Sequence, residues 1–223
     1  MFDLTADWMS IAKTLGADPF LADWIKDKPG IRLPGCWSGF ELVVRAILGQ
    51  QITVKGATTL AGRMVKAFGR PFTVASGVTH LFPAPEVLAE ADLTGIGVTK
   101  MRSFSIRHLA RAFCAGKIRF DATIDPQAAL NQLCEIPGIG PWTAQYTALR
   151  VFSQADAFPR GDSGLLRCLH IKTPEQLARR AEAWRPWRGY AVIYIWAYGK
   201  HTRESDLSYR PAKMKNVSRE VPD

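Results

Sequence analysis

Apolar positions recur three and four residues apart along most of this chain, the period of helices that bury one face. Ser38-Gly39-Phe40-Glu41 reads as a capping box, and the helix it opens carries Phe40, Val43, Val44, Ile47 and Leu48 on one side. A second helix is predicted from about Thr53 to Phe68, with Gly69 as its C′ glycine. A third runs from Thr99 to Ala115 and ends the same way at Gly116. Asp125-Pro126 places a capping residue before a first-turn proline and starts a helix that reaches Cys134. Thr173-Pro174-Glu175-Gln176 repeats the device with a capping-box Gln. The stretch from Gly189 to Tyr198 is apolar nearly all round, so it is expected to be buried. Only short pieces such as Pro71 to Val74 have the composition of a strand, and no alternating stretch is long enough to build a sheet. The fold class is therefore all-α, a packed multi-helix domain.

Two short strings echo each other 43 residues apart, Leu93-Thr-Gly-Ile-Gly-Val-Thr-Lys100 and Ile136-Pro-Gly-Ile-Gly-Pro-Trp-Thr143. Both read as tight Gly-x-Gly turns that open a helix. The second is the richer, because it sits in Leu133-Cys-Glu-Ile-Pro-Gly-Ile-Gly-Pro-Trp-Thr-Ala144: a helix ends, the chain turns, and a new helix begins near Pro141. Gly138 and Gly140 permit positive φ and leave the backbone uncovered. Their N–H groups, that of Thr143 and the positive end of the new helix would hold a backbone phosphate without reading its sequence. A plain helix-to-helix turn is the competing interpretation. Charge favours the phosphate: 29 Lys and Arg stand against 20 Asp and Glu, a net +9, which attracts polyanions. The apolar and charged fractions, 47% and 22%, are those of an ordinary globular protein and add nothing more.

Around this string three ordered blocks resemble the helix-hairpin-helix base-excision DNA glycosylases. The hairpin is one. The second is Leu33-Pro-Gly-Cys36 followed by Phe40-Glu41 and Arg45-Ala-Ile-Leu-Gly-Gln-Gln-Ile-Thr-Val54. The third is Trp187-Arg-Gly-Tyr-Ala-Val-Ile-Tyr-Ile-Trp196. The last two resemble the alkylbase glycosylases of the 3-methyladenine DNA glycosylase II type, from about residue 20 to residue 199. The resemblance implies two helical lobes flanking an active-site cleft. It divides the chain into an N-terminal helical lead-in (1–19), the glycosylase domain (20–199) and a polar C-terminal tail (200–223). The β-rich domain that precedes the helical one in some relatives is expected to be absent.

The resemblance also assigns residues. The family's catalytic Asp lies twenty residues after the aromatic that follows the hairpin; Trp142 plus twenty is Asp162. By itself Asp162 reads as the N-cap of a helix beginning at Ser163; the two roles are compatible. Trp142 and Tyr146, four apart on one helix face, would line a base pocket with Trp196 opposite. Core packing is the alternative for each, since seven tryptophans cannot all be functional. Gln50 and Gln51 would enter the minor groove and fill the gap left by a flipped nucleotide, although some relatives use an apolar wedge at the second position. Bifunctional relatives carry a lysine where this chain has Trp142, and no lysine occurs between Lys117 and Lys172. The implied enzyme is therefore monofunctional, with water as nucleophile and no required cofactor. A monovalent cation, Na+ or K+, would bind the backbone carbonyls of Cys134, Ile136 and Ile139.

The implied partner is double-stranded DNA containing alkylated bases, met by a monomer. Two rivals stand beside this reading: a non-catalytic helix-hairpin-helix DNA-binding module, and a glycosylase for other damaged bases such as ethenoadenine or hypoxanthine. The four cysteines form no CxxC pair, which suits a reduced protein without a zinc or iron–sulfur loop. Without a basic, apolar leader or a long apolar run, the expected location is cytoplasmic and nucleoid-associated, with no membrane contact.

Overall fold

The computed structural model describes residues 3–72, 77–121 and 123–199. Among these, eleven α-helices and two short 3-10 turns carry the fold. The helices are α1 (Trp8–Gly16), α2 (Ala22–Asp27), α3 (Gly39–Gly49), α4 (Val54–Phe68), α5 (Pro85–Glu90) and α6 (Lys100–Cys114). They continue with α7 (Pro126–Cys134), α8 (Pro141–Arg150), α9 (Ser163–Cys168), α10 (Pro174–Ala181) and α11 (Arg188–Tyr198). The all-α expectation holds. Pro71 pairs only as an isolated bridge with His80, so the strand expected from Pro71 to Val74 does not form as far as Phe72. Its last two positions, and the 200–223 tail, lie outside the described residues.

The caps explain why the helices begin where the sequence indicates. Ser38, Thr53, Thr99 and Thr173 each accept from the backbone N–H three residues on, and Asp125 accepts from Gln127 and Ala128; such a cap is worth about 1 kcal/mol. Gly116 ends α6 with φ +66, as expected of a C′ glycine. Gly69 differs. It has an extended backbone with φ −74, and its role is steric: a Cβ there would stand 2.4 Å from the carbonyl oxygens of both Val65 and Leu81.

The helices build two apolar cores. One gathers Ile11 and Leu15 of α1, Leu21, Ile25 and Leu33, then α8 to α11, with Trp184, Tyr190 and Tyr194 fully buried. The other is made by α3 to α7 and includes Ile136 and Ile139 of the hairpin. Each fully buried Leu, Ile or Phe contributes about 1.5–3 kcal/mol, so each lobe is held by a core of its own. α11 is apolar and buried along most of its length, as its composition predicts. Tyr194 donates to the carbonyl of Lys28 at 2.7 Å and Tyr190 to Asp3 at 2.8 Å, which ties α11 to the first segment of the chain. Burial pushes the Tyr194 phenol up to about 12. No described helix is long and apolar enough to cross a membrane.

Candidate active site

Asp162 is the N-cap of α9, as its local sequence indicates: its Oδ1 accepts from the Leu165 N–H at 2.9 Å. The same carboxylate does more. Trp142 donates its indole N–H to Oδ2 at 3.0 Å, and Trp196 donates its own to Oδ1 at 3.2 Å. Residues 34 and 20 positions away thus meet on one side chain. A carboxylate offers roughly four lone-pair sites. Among the described residues three are used, so one site on Oδ2 remains for a further partner.

The rings that hold the carboxylate also touch one another. Trp142 and Tyr146, one turn apart on α8, stack with centroids 5.3 Å apart and planes 6° from parallel. Tyr146 meets Trp196 at 5.9 Å. All three side chains are partly exposed. The structure therefore brings together Asp162, Trp142, Tyr146 and Trp196, the residues that the resemblance grouped, and gives the two indoles a task that sequence reasoning did not anticipate: they orient the carboxylate.

The supporting residues were also missed. Arg150 lies over the Tyr146 ring, donates to its hydroxyl at 3.2 Å, and reaches the Pro34 carbonyl, which anchors the Leu33-Pro-Gly-Cys segment beside α8. The loop that presents Asp162 is pinned twice. Gln145 Oε1 accepts the Phe158 N–H at 2.9 Å, and Arg188 grips Asp156 with two 2.8 Å bonds. No local pattern marks such residues. Their only signal is charge or amide on a helix face next to a candidate catalytic loop.

The hairpin sits between α7 and α8. Ile139 N–H bonds the Ile136 carbonyl at 3.0 Å across Pro137 and Gly138, and Gly138 has φ +85; Pro then Gly at the centre is the signature of a type II turn. Gly138 is also required sterically, since a Cβ would come within 2.3 Å of the Ser105 hydroxyl. Gly140 does not use the positive φ that it permits; its backbone is extended, φ −109 and ψ −178, and it is the N-cap of α8. That cap has no side-chain partner, Pro141 occupies N1, and a Cβ on Gly140 would meet nothing within 4 Å. The open N-terminus of α8 thus presents backbone donors to an anion. The Thr143 side chain is buried and lies inside α8, so only its backbone N–H is available there.

Gln50 and Gln51 lie in the turn between α3 and α4. Gln50 donates its side-chain amide to the Gly138 carbonyl at 2.9 Å, which joins this turn to the hairpin. Gln51 is exposed, with φ +55, a conformation that costs a non-glycine residue about 1–3 kcal/mol. At the hairpin carbonyls, Ile136 accepts from Ile139. Those of Cys134 and Ile139 take no donor among the described residues. Described side chains group no three His, Cys, Asp or Glu as a metal site.

Comparison with known proteins agrees with this geometry. A family model described as the AlkA N-terminal domain matches residues 1–38, which here contain α1, α2 and the link to α3. The chain is 41% identical over 206 residues to a probable bifunctional transcriptional activator/DNA repair enzyme AlkA of Mycobacterium tuberculosis, covering 90% of this chain and 42% of that one. It therefore spans less than half of that relative's length. It is 30% identical over 207 residues to a DNA-3-methyladenine glycosylase of Bacillus subtilis, covering 87% of this chain and 68% of that one. Among solved structures, MBOgg1 in complex with a low-affinity DNA ligand superposes with a TM-score of 0.76 at 26% identity, over 89% of this chain and 72% of that one. With the hairpin, the aromatic-bound carboxylate and these matches together, the chain belongs to the DNA-3-methyladenine glycosylase family and has the helix-hairpin-helix glycosylase fold.

Proposed function

We propose that this protein is a monofunctional DNA glycosylase that hydrolyses the N-glycosidic bond of alkylated purines, of the 3-methyladenine and 7-methylguanine kind, in double-stranded DNA. The observation that carries the reading is Asp162, a carboxylate fixed by Trp142, Trp196 and the Leu165 N–H, with one lone-pair site left open and aromatic rings beside it.

Breaking the bond between base and deoxyribose develops positive charge on the sugar. A carboxylate already locked in position stabilises that charge without reorganising. Its open site accepts a proton from the water that attacks C1′. The base leaves with the bonding electron pair; an alkylated purine carries a positive charge beforehand, so it departs neutral and needs no strong general acid. The aromatic faces of Trp142, Tyr146 and Trp196 suit a flipped, cationic, electron-poor base. Trp142 occupies the position where bifunctional relatives carry a lysine, which leaves water as the nucleophile. The chain acts as a monomer. The α8 N-terminus with Gly138 and Gly140 takes a backbone phosphate, the Gln50–Gln51 turn enters the minor groove, and a Na+ or K+ ion on the carbonyls of Cys134, Ile136 and Ile139 would add positive charge there.

The test is mass spectrometry of bases released from methylated DNA by the wild type and by Asp162→Asn. The expected outcome is methylated-base release by the wild type that falls by on the order of 10²-fold or more in the variant, while duplex binding survives. Binding without release by the wild type would instead make the chain a non-catalytic DNA-binding module.

A further inference from the structure

The turn that carries Gln50 and Gln51 is itself type II. Gln50 has φ −59 and ψ 127, Gln51 has φ +55, and the Ile52 N–H bonds the Gly49 carbonyl at 3.4 Å. The hairpin turn Ile136–Ile139 is the same type, and the two turns are joined by the bond from Gln50 to Gly138. In a type II turn the central peptide is flipped relative to type I, so its carbonyl marks which form is present. These central carbonyls belong to Gln50 in one turn and Pro137 in the other. Both are held from α6: Arg102 donates to the Gln50 carbonyl, and Ser105, one turn further along, donates to that of Pro137 at 2.7 Å.

The two turns depend on α6 unequally. Pro-Gly prefers type II by itself, so the hairpin does not need Ser105 to choose it. Gln-Gln prefers type I, in which the second residue has negative φ. Among the described residues, the bond that the flipped peptide itself accepts, and that opposes this preference, comes from the Arg102 guanidinium. The orientation of the peptide between residues 50 and 51 sets the direction of the Gln51 side chain, because it fixes φ of Gln51.

We propose that Arg102 is a positioning residue for nucleotide extrusion: it holds the Gln50–Gln51 turn in its type II form and so aims Gln51 into the duplex. This rests on the proposed glycosylase function. Arg102 acts through Gln51 and not by gripping phosphate itself. Its loss then impairs opening of the base stack, while attachment to the duplex persists.

The experiment compares wild type, Arg102→Ala, Arg102→Lys and Ser105→Ala on a duplex holding one alkylated purine with 2-aminopurine as its 3′ neighbour. Melting temperature serves as the control for folding. Arg102→Ala is expected to lower the single-turnover excision rate at saturating enzyme by about tenfold and to abolish the fluorescence rise that reports unstacking. Its affinity for undamaged duplex, and the salt dependence of that affinity, should match the wild type. Arg102→Lys keeps a donor near the carbonyl and should fall between the two; it also carries the test if the alanine variant does not fold. Ser105→Ala should stay close to wild type in unstacking. Unchanged excision in Arg102→Ala overturns the proposal. So does a reduced salt slope of about one, which marks a direct phosphate contact, or a parallel loss of binding and excision. Absence of excision by the wild type would sink the glycosylase reading itself.

Discussion

The two Gly-Ile-Gly strings, 95–97 and 138–140, are nearly the same in sequence and open helices α6 and α8, yet they are built oppositely. In the first, the positive φ falls on the second glycine, Gly97 at +89, after a 3-10 turn over Thr94–Ile96. In the other it falls on the first glycine, Gly138. The helix starts differ more than the turns. Thr99 caps α6 with its hydroxyl on the Arg102 N–H, so that helix end fills its own donor. α8 begins at Gly140 with no side-chain cap. One string ends in a self-satisfied helix start; the other leaves donors open to a phosphate. A motif match therefore locates a turn, but the residue at the cap decides whether that turn can hold an anion.

This contrast can be broken experimentally, starting with its strongest member. Gly138→Ala forces a side chain into positive φ and against the Ser105 hydroxyl. It should lower stability by about 2 kcal/mol or more and duplex affinity by tenfold or more, measured by denaturant melts and fluorescence anisotropy. Gly140→Asp should separate the two properties. The extended backbone accepts Asp, whose carboxylate would cap α8 and add about 0.5–1 kcal/mol of stability. The same charge fills the anion site and repels phosphate, so affinity should drop about tenfold. An affinity equal to wild type would show that the α8 N-terminus does not touch DNA. Thr99→Ala removes the α6 cap and should cost about 1 kcal/mol, with duplex affinity within twofold of wild type. Gly95→Ala should be the mildest. A Cβ there meets nothing within 4 Å and φ is not positive, so stability should change by less than about 0.5 kcal/mol.

Local physics made much of the fold legible. The caps at Ser38, Thr53, Thr99, Asp125 and Thr173 act within three residues of themselves, which is why the helix starts agree with expectation to within a residue or two. The same short range misled where a glycine was read as a left-handed helix end. Gly69 is needed because Leu81, twelve positions on, brings its carbonyl against the helix.

The candidate site divides in the same way. Asp162 as an N-cap, and Trp142 with Tyr146 on one helix face, follow from near neighbours and the helical period. The sequence by itself thus determined the helical class, the starts of the helices whose caps it carries, and the chemical types available at the site. Tertiary structure alone decided that Trp142 and Trp196, 54 positions apart, donate to one carboxylate, and that Arg102 reaches the Gln50 carbonyl 52 positions away. It also showed that two turns far apart in sequence share a bond. Caps and helical faces are set by residues within a turn or two, whereas these meetings depend on how helices far apart in sequence pack within each lobe, a distance over which no local pattern carries information.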